Sequence, residues 1–210
     1  GAMALIGWGT RSPFLLGLRP RYIPMAPNTA LAFVALGLGL FALARGRDGL
    51  AALAAAPVGA VAGIRVLEFA GAIPVWVDRA FVRVPAEKLG LAPVGRMALF
   101  TAMAFLAASG AMLVRALGRR WPRSGDVCGA GALWAIGTGL VFGLGYLFSP
   151  DTPLLYGTQF IPMALNTAIG FLATGAGLLA ASGPRSFLLR RLCGRSTHAR
   201  LLRVFLPLVV

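Results

Sequence analysis

Acid–base, nucleophilic or metal chemistry needs titratable side chains close together, and this chain offers few. It has six Asp+Glu and one His among 210 residues. Arg65 and Glu68 are the one charged pair inside a long apolar stretch. At i,i+3 they share a helix face and can form an ion pair. A single charge at mid-membrane costs about 2.5–3.5 kcal/mol on insertion scales, so the two should pair and face the protein interior. Arg65 can instead extend outward to the interface, and the pair can also serve as a proton or ligand site. His198, in Ser196-Thr197-His198-Ala199-Arg200, lacks the acidic neighbour of a phosphoacceptor and reads as a solvated interfacial residue. As the one histidine it leaves none within the membrane for axial ligation. Cys128 and Cys193 lie far apart without Cys or His companions, which suits neither zinc nor a disulfide. No G-x-S-x-G, P-loop or carboxylate dyad occurs. The expectation is therefore no catalytic residue, no metal and no cofactor.

The elements that must hold these residues follow from composition. The chain is 58% hydrophobic and 12% charged, with mean hydropathy +0.81. Soluble chains carry about 25% charged residues. About 20 apolar residues span a hydrocarbon core of about 30 Å. Uncharged stretches cover 25–44, 97–114, 127–150 and 152–184, the last helical from about Pro162; 49–77 is long enough but holds Arg65 and Glu68. The fold expected is an all-α polytopic transmembrane bundle with about five full spans. The runs 3–9 and 204–210 read as truncated terminal helices, so the chain is expected to be a fragment of a longer one.

Net charge is +14. A nucleic-acid partner would need a folded basic surface, whereas these arginines sit in short clusters between apolar stretches and are better matched to anionic lipid headgroups and topology. Alternate connections carry 12 and 7 basic residues, and the loops flanking the 127–150 stretch carry four arginines and none. By the positive-inside rule the twelve face the cytoplasm, placing the module in a bacterial inner membrane with 11–22, 76–96 and 149–160 outside. Trp8, Tyr22, Trp76, Tyr146 and Tyr156 then cluster toward the outer face as an aromatic belt, or as the lining of a ligand cup.

An internal repeat organises the chain. Tyr22-Ile-Pro-Met-Ala-Pro-Asn-Thr-Ala30 recurs as Phe160-Ile-Pro-Met-Ala-Leu-Asn-Thr-Ala168, with seven of nine residues identical at an offset of 138. Phe33, Gly37, Gly39 and Leu40 also match Phe171, Gly175, Gly177 and Leu178, and Gly7-Trp8 falls on Gly145-Tyr146. A weaker middle copy at offset 72 sets Met97, Thr101, Ala102 and Phe105 on Met25, Thr29, Ala30 and Phe33, with Phe100 in place of the asparagine. The repeats define three hairpin units, about 7–75, 76–148 and 145–210. Each enters from outside on a Met-x-x-(Asn)-Thr-Ala helix start. Pro24 and Pro162 fit first helical turns. Asn28, Thr29, Thr101, Asn166 and Thr167 can cap free backbone N–H groups, bond a neighbouring helix, or form a polar ring around a ligand. The glycines at 129, 131, 137, 139, 143 and 145 offer small-residue packing faces.

The motif Gly7-Trp8-x5-Phe14-Leu15-x7-Ile23-Pro-Met-Ala-Pro-Asn-Thr-Ala-Leu-Ala-Phe33 resembles the N-terminal multi-pass membrane region of bacterial PAS-containing sensor histidine kinases and related signalling proteins. The similarity extends through Leu67-Glu68-Phe69 and Val94-Gly95-Arg96-Met97 to residues 156–178 and the arginine-rich linker before Leu206. It implies a non-catalytic input or anchoring region, with output domains beyond residue 210. The middle copy departs from the pattern in lacking its asparagine. The alternative is a structural accessory subunit of a bioenergetic or photosynthetic complex, packing through Gly/Ala-rich faces against other membrane helices.

Overall fold

The computed structural model describes residues 1–10, 12–18, 22–71, 97–118, 121–148, 162–184, 186 and 187, and the backbone of 88–89 and 92–93. Several expectations concern residues outside that set: Arg11, Arg19, Arg21, Trp76, Arg79, Arg83, Arg96, Arg119, Arg120, Tyr156, Cys193, His198, and the runs 149–160 and 204–210. Seven helices are described: α1 (Ala2–Thr10), α2 (Pro13–Gly17), α3 (Pro27–Ala44), α4 (Asp48–Phe69), α5 (Leu99–Leu117), α6 (Ser124–Phe148) and α7 (Leu165–Ala181). Between α4 and α5, Lys88–Leu89 and Ala92–Pro93 pair as a two-residue antiparallel ladder.

Helices α3 to α6, of 18 to 25 residues, are long and apolar enough to cross a membrane. α7 is also apolar, at 17 residues, and at about 1.5 Å per residue it reaches about 26 Å. These helices are apolar on every side rather than on one stripe. Leu38, Phe41, Leu53, Trp134, Val141 and Leu147 are all more than half exposed. In water such a continuous surface would drive association; against lipid tails it is the expected exterior, because every helical N–H and C=O is satisfied within the segment. Pro57, midway along α4, removes one such bond.

The repeat is visible in the local geometry. Three helices begin after an extended alanine of nearly identical conformation: Ala26 (φ −63°, ψ 146°), Ala98 (−66°, 151°) and Ala164 (−67°, 147°). Ala30, Ala102 and Ala168 then close the first helical turn on those alanine carbonyls at 3.0, 2.9 and 3.1 Å. Pro27 occupies the first turn of α3 and forces its predecessor into the extended region. Pro24 and Pro162 do not sit in first turns as the sequence suggests. They lie in the lead-ins before the helices, where the Met25 and Met163 carbonyls accept hydrogen bonds from neighbouring helices.

The interior is built from small residues. Ala30, Ala102 and Ala168 are fully buried, and so are Ala55, Ala62, Ala108, Ala132 and Ala135. A Cβ on Gly139 would lie 2.7 Å from the Ala168 carbonyl oxygen, and one on Gly175 would lie 2.8 Å from that of Ala132. One on Gly131 would collide with Ala111. These glycines let α6 approach α5 and α7 closely, whereas Gly137 has open space. At the centre Phe33, Phe105 and Phe171, one from each repeat, meet with ring centroids 4.8, 5.0 and 4.8 Å apart. The inner helices α3, α5 and α7 thus run the same way around one aromatic triad, and α4 and α6 return between them.

Candidate functional site

Two ends of the bundle carry the polar groups. At the end where α3, α5 and α7 begin, each lead-in methionine is buried and its carbonyl accepts a hydrogen bond from the helix packed before it. Trp8 Nε1–H donates to Met25 O (2.9 Å), Tyr146 O–H to Met163 O (2.8 Å), and Arg65 Nε–H to Met97 O (3.0 Å). Trp8 and Tyr146 stand at matching repeat positions, each 17 residues before its methionine. Arg65 does the same work from 32 residues away. A carbonyl in an extended lead-in has no helical partner, so in an apolar setting it must find a donor elsewhere.

Arg65 and Glu68 form the ion pair that their spacing suggested, Nη1 to Oε2 at 2.6 Å, with side chains 7% and 22% exposed. The pair lies in the last turn and a half of α4 and not at mid-helix. Arg65 has to be level with Met97 to hold its carbonyl, and Glu68 then lies toward the helix end. The guanidinium therefore serves two acceptors at once: a carboxylate on its own helix and a backbone oxygen on the next.

The threonines of the three starts occupy one equivalent position. Thr29, Thr101 and Thr167 are each third in their helix and each 2% exposed. The asparagines diverge. Asn28 accepts the Thr29 N–H (2.8 Å), satisfying a free first-turn donor, and also borders a cavity of about 160 Å³ between α3 and α4. Asn166 instead reaches across to α2, where its Nδ2 donates to Leu16 O (2.7 Å); its Oδ1 is enclosed without a partner. Leu16 O also accepts the Met25 N–H (3.0 Å). In the middle repeat Phe100 replaces the asparagine and stacks toward Phe142, centroids 5.6 Å apart.

At the opposite, arginine-bearing end, the exit of α7 is held from two sides. The last carbonyls of a helix have no partner within it. Here Arg115 Nε–H of α5 donates to Ala181 O (2.8 Å), while Leu178 O, already bonded by the Ser182 N–H (2.9 Å), also accepts from Cys128 Sγ–H of α6 (3.3 Å). Just beyond, the Phe187 N–H donates to Asp126 Oδ1 (2.6 Å), and the Ser182 and Ser186 hydroxyls lie 3.1 Å apart. Cys128 is buried, and no cluster of metal-ligating side chains exists among the described residues. The repeat aligns Trp8 with Tyr146, and what the sequence reading missed is its chemistry: both are side-chain donors at one repeat position, which implies an equivalent acceptor in each unit. Comparison with known proteins finds no matching family model, no matching curated protein and no matching solved structure.

Proposed function

We propose that this chain is the membrane-embedded, non-catalytic input and anchoring region of a bacterial signal-transduction protein of the kind its repeat motif resembles. α3 to α7 form five spans in three hairpin units. The short connections bearing Arg45, Arg47 and Arg123 face the cytoplasm among anionic headgroups, and the Met–Asn–Thr starts face outward. The observation that carries this reading is the clamped exit of α7. α5 and α6 both bond the end of α7 or the residues just beyond it, so a rearrangement among these three helices would reach the segment that follows. A mere anchor has no need of that coupling.

In the full-length protein, Glu68→Gln frees the Arg65 guanidinium from its carboxylate and shifts basal kinase or cyclase output at unchanged membrane level. Unchanged output at equal expression refutes the input role. Orientation is tested separately with single cysteines at Arg47 and Ala70: impermeant maleimide applied to intact spheroplasts should label only the second.

A second reading, an accessory subunit, is favoured by the open groove of about 740 Å³ between α5 and α6. Phe100, Leu133, Trp134, Gly137 and Val141 line it, and it would seat a helix of a larger complex. Co-purification of a stoichiometric membrane partner from the native host would support that reading.

A further inference from the structure

The first and third repeats pack an outer helix on their inner helix in the same way. A Cβ on Gly1 would lie 2.8 Å from the Ala30 carbonyl oxygen and 3.0 Å from a Val34 methyl. At the repeat offset of 138, a Cβ on Gly139 would lie 2.7 Å from the Ala168 carbonyl oxygen and 3.0 Å from Leu172 Cγ. Seven residues on, Trp8 donates to Met25 O at 2.9 Å as Tyr146 donates to Met163 O at 2.8 Å. The two helices also stop at matching residues, Thr10 and Phe148. Helix α1 is the counterpart of the last turns of α6.

The rest of α6 has no counterpart among the described residues. It begins at Ser124, 15 residues before Gly139, and it covers the next close-approach glycine of α7. A Cβ on Gly175 would meet Ala132 O at 2.8 Å and Ile136 Cγ1 at 2.6 Å, seven and three residues before Gly139. The matching glycine of α3, Gly37, has open space instead. Gly37 is exposed where Gly175 is buried. Phe41 is 58% exposed where its counterpart Leu179 packs against the core. The α3 face at Gly37 is therefore an unfilled copy of a filled seat, and what fills the original is a helix collinear with the segment that α1 matches.

We propose that the polypeptide immediately before Gly1 forms this helix. It has about 15 residues and a length of about 22 Å, runs from the arginine-bearing end into α1, and sets its counterpart of Ala132, a small residue, against Gly37. Each inner helix then has its own outer helix: extended α1 for α3, α4 for α5 and α6 for α7. The proposal rests on the repeat geometry and not on the signalling role.

The test uses the full-length natural protein in its native membrane, with p-benzoylphenylalanine in place of Phe41. After illumination the cross-linked peptide is mapped by mass spectrometry. The cross-link should be internal, to the stretch just before Gly1. A cross-linked dimer, a cross-link to a different polypeptide, or adducts to lipid alone overturns the proposal, and so does a natural reading frame too short to supply the helix. Gly37→Leu gives a second readout. In the natural protein it should lower the melting temperature as much as Gly175→Leu does. A shift under about 2 °C, the response of an exposed position, overturns the proposal.

Discussion

Tyr146→Phe removes one oxygen atom and nothing else from the end of the bundle where α3, α5 and α7 begin. The ring stays where it packs, 5.0 Å centroid to centroid from Tyr22, and only the 2.8 Å bond to the Met163 carbonyl is lost. In a water-soluble protein a neutral hydrogen bond contributes about 0.5–1.5 kcal/mol, and an orphaned buried acceptor costs about 1–3 kcal/mol. Hydrogen bonds between membrane helices average only about 0.6 kcal/mol, with a maximum of about 1.7, because the separated helices find other partners. Met163 is not in a helix, however. Its carbonyl cannot fall back on an intrahelical donor, and Tyr146 is 4% exposed, so water is excluded. The loss should therefore sit at the upper end of the membrane range, about 1–2 kcal/mol. For a chain of this size that lowers the melting temperature by about 2–8 °C, measured by scanning fluorimetry in one detergent. Trp8→Phe should behave alike, since Trp8 makes the equivalent bond. Thr138→Val is the control: its hydroxyl bonds Trp134 O one turn back in its own helix (2.8 Å), an acceptor already served by the helix, and its loss should cost less than about 0.5 kcal/mol. Tyr146→Phe and Trp8→Phe melting within 1 °C of the parent would refute the claim that the lead-in carbonyls depend on these donors.

Arg65→Met strips the same support from Met97 and also leaves the Glu68 carboxylate unpaired, so it should cost more than Tyr146→Phe, about 3 kcal/mol; an equal or smaller melting shift would show that Glu68 is fully solvated. Gly139→Leu drives a side chain into the Ala168 backbone and should cost at least about 1–3 kcal/mol or abolish monodispersity. Gly137→Leu, on the open side of the same helix, should leave the elution profile unchanged, and equal damage from both would refute the close-packing role. In a Cys193→Ser background, Cys128 should react with a fluorogenic maleimide only as the protein melts, because its thiol is buried against Leu178; rapid labelling at 20 °C would show that α6 and α7 separate.

Much of the helical architecture was legible because its causes are local. Uncharged runs of sufficient length become helices, and the starts of α3, α5 and α7 fall within a few residues of the Met-x-x-(Asn)-Thr-Ala boxes. The Arg65–Glu68 pair was legible from i,i+3 spacing alone. What the spacing does not contain is contact between hairpins. Phe33, Phe105 and Phe171 align in the repeat, yet their meeting depends on how three helices are placed around one axis. The role of Arg65 was hidden for a different reason. The long connection after α4 moves it out of the register that pairs Trp8 with Tyr146, so an arginine does the work an aromatic does in the other two units, at a position no fixed offset reveals. The asparagines show the opposite limit. Identical in the repeat, Asn28 accepts the Thr29 N–H of its own first turn while Asn166 donates to the Leu16 carbonyl of α2, a long-range contact that no local spacing contains.

The Leu16 carbonyl has a further consequence. It is shared by Met25, nearby in the chain, and by Asn166, made 150 residues later. At translation rates of about 5–20 residues per second, the second donor arrives roughly 8–30 s after the acceptor has left the ribosome. During that interval the first two hairpins would sit in the bilayer with an unfinished seam, open to whatever helix or insertase passes. Closure of this seam thus waits for α7, and a chain cut short before residue 166 would carry the Leu16 acceptor without its Asn166 donor.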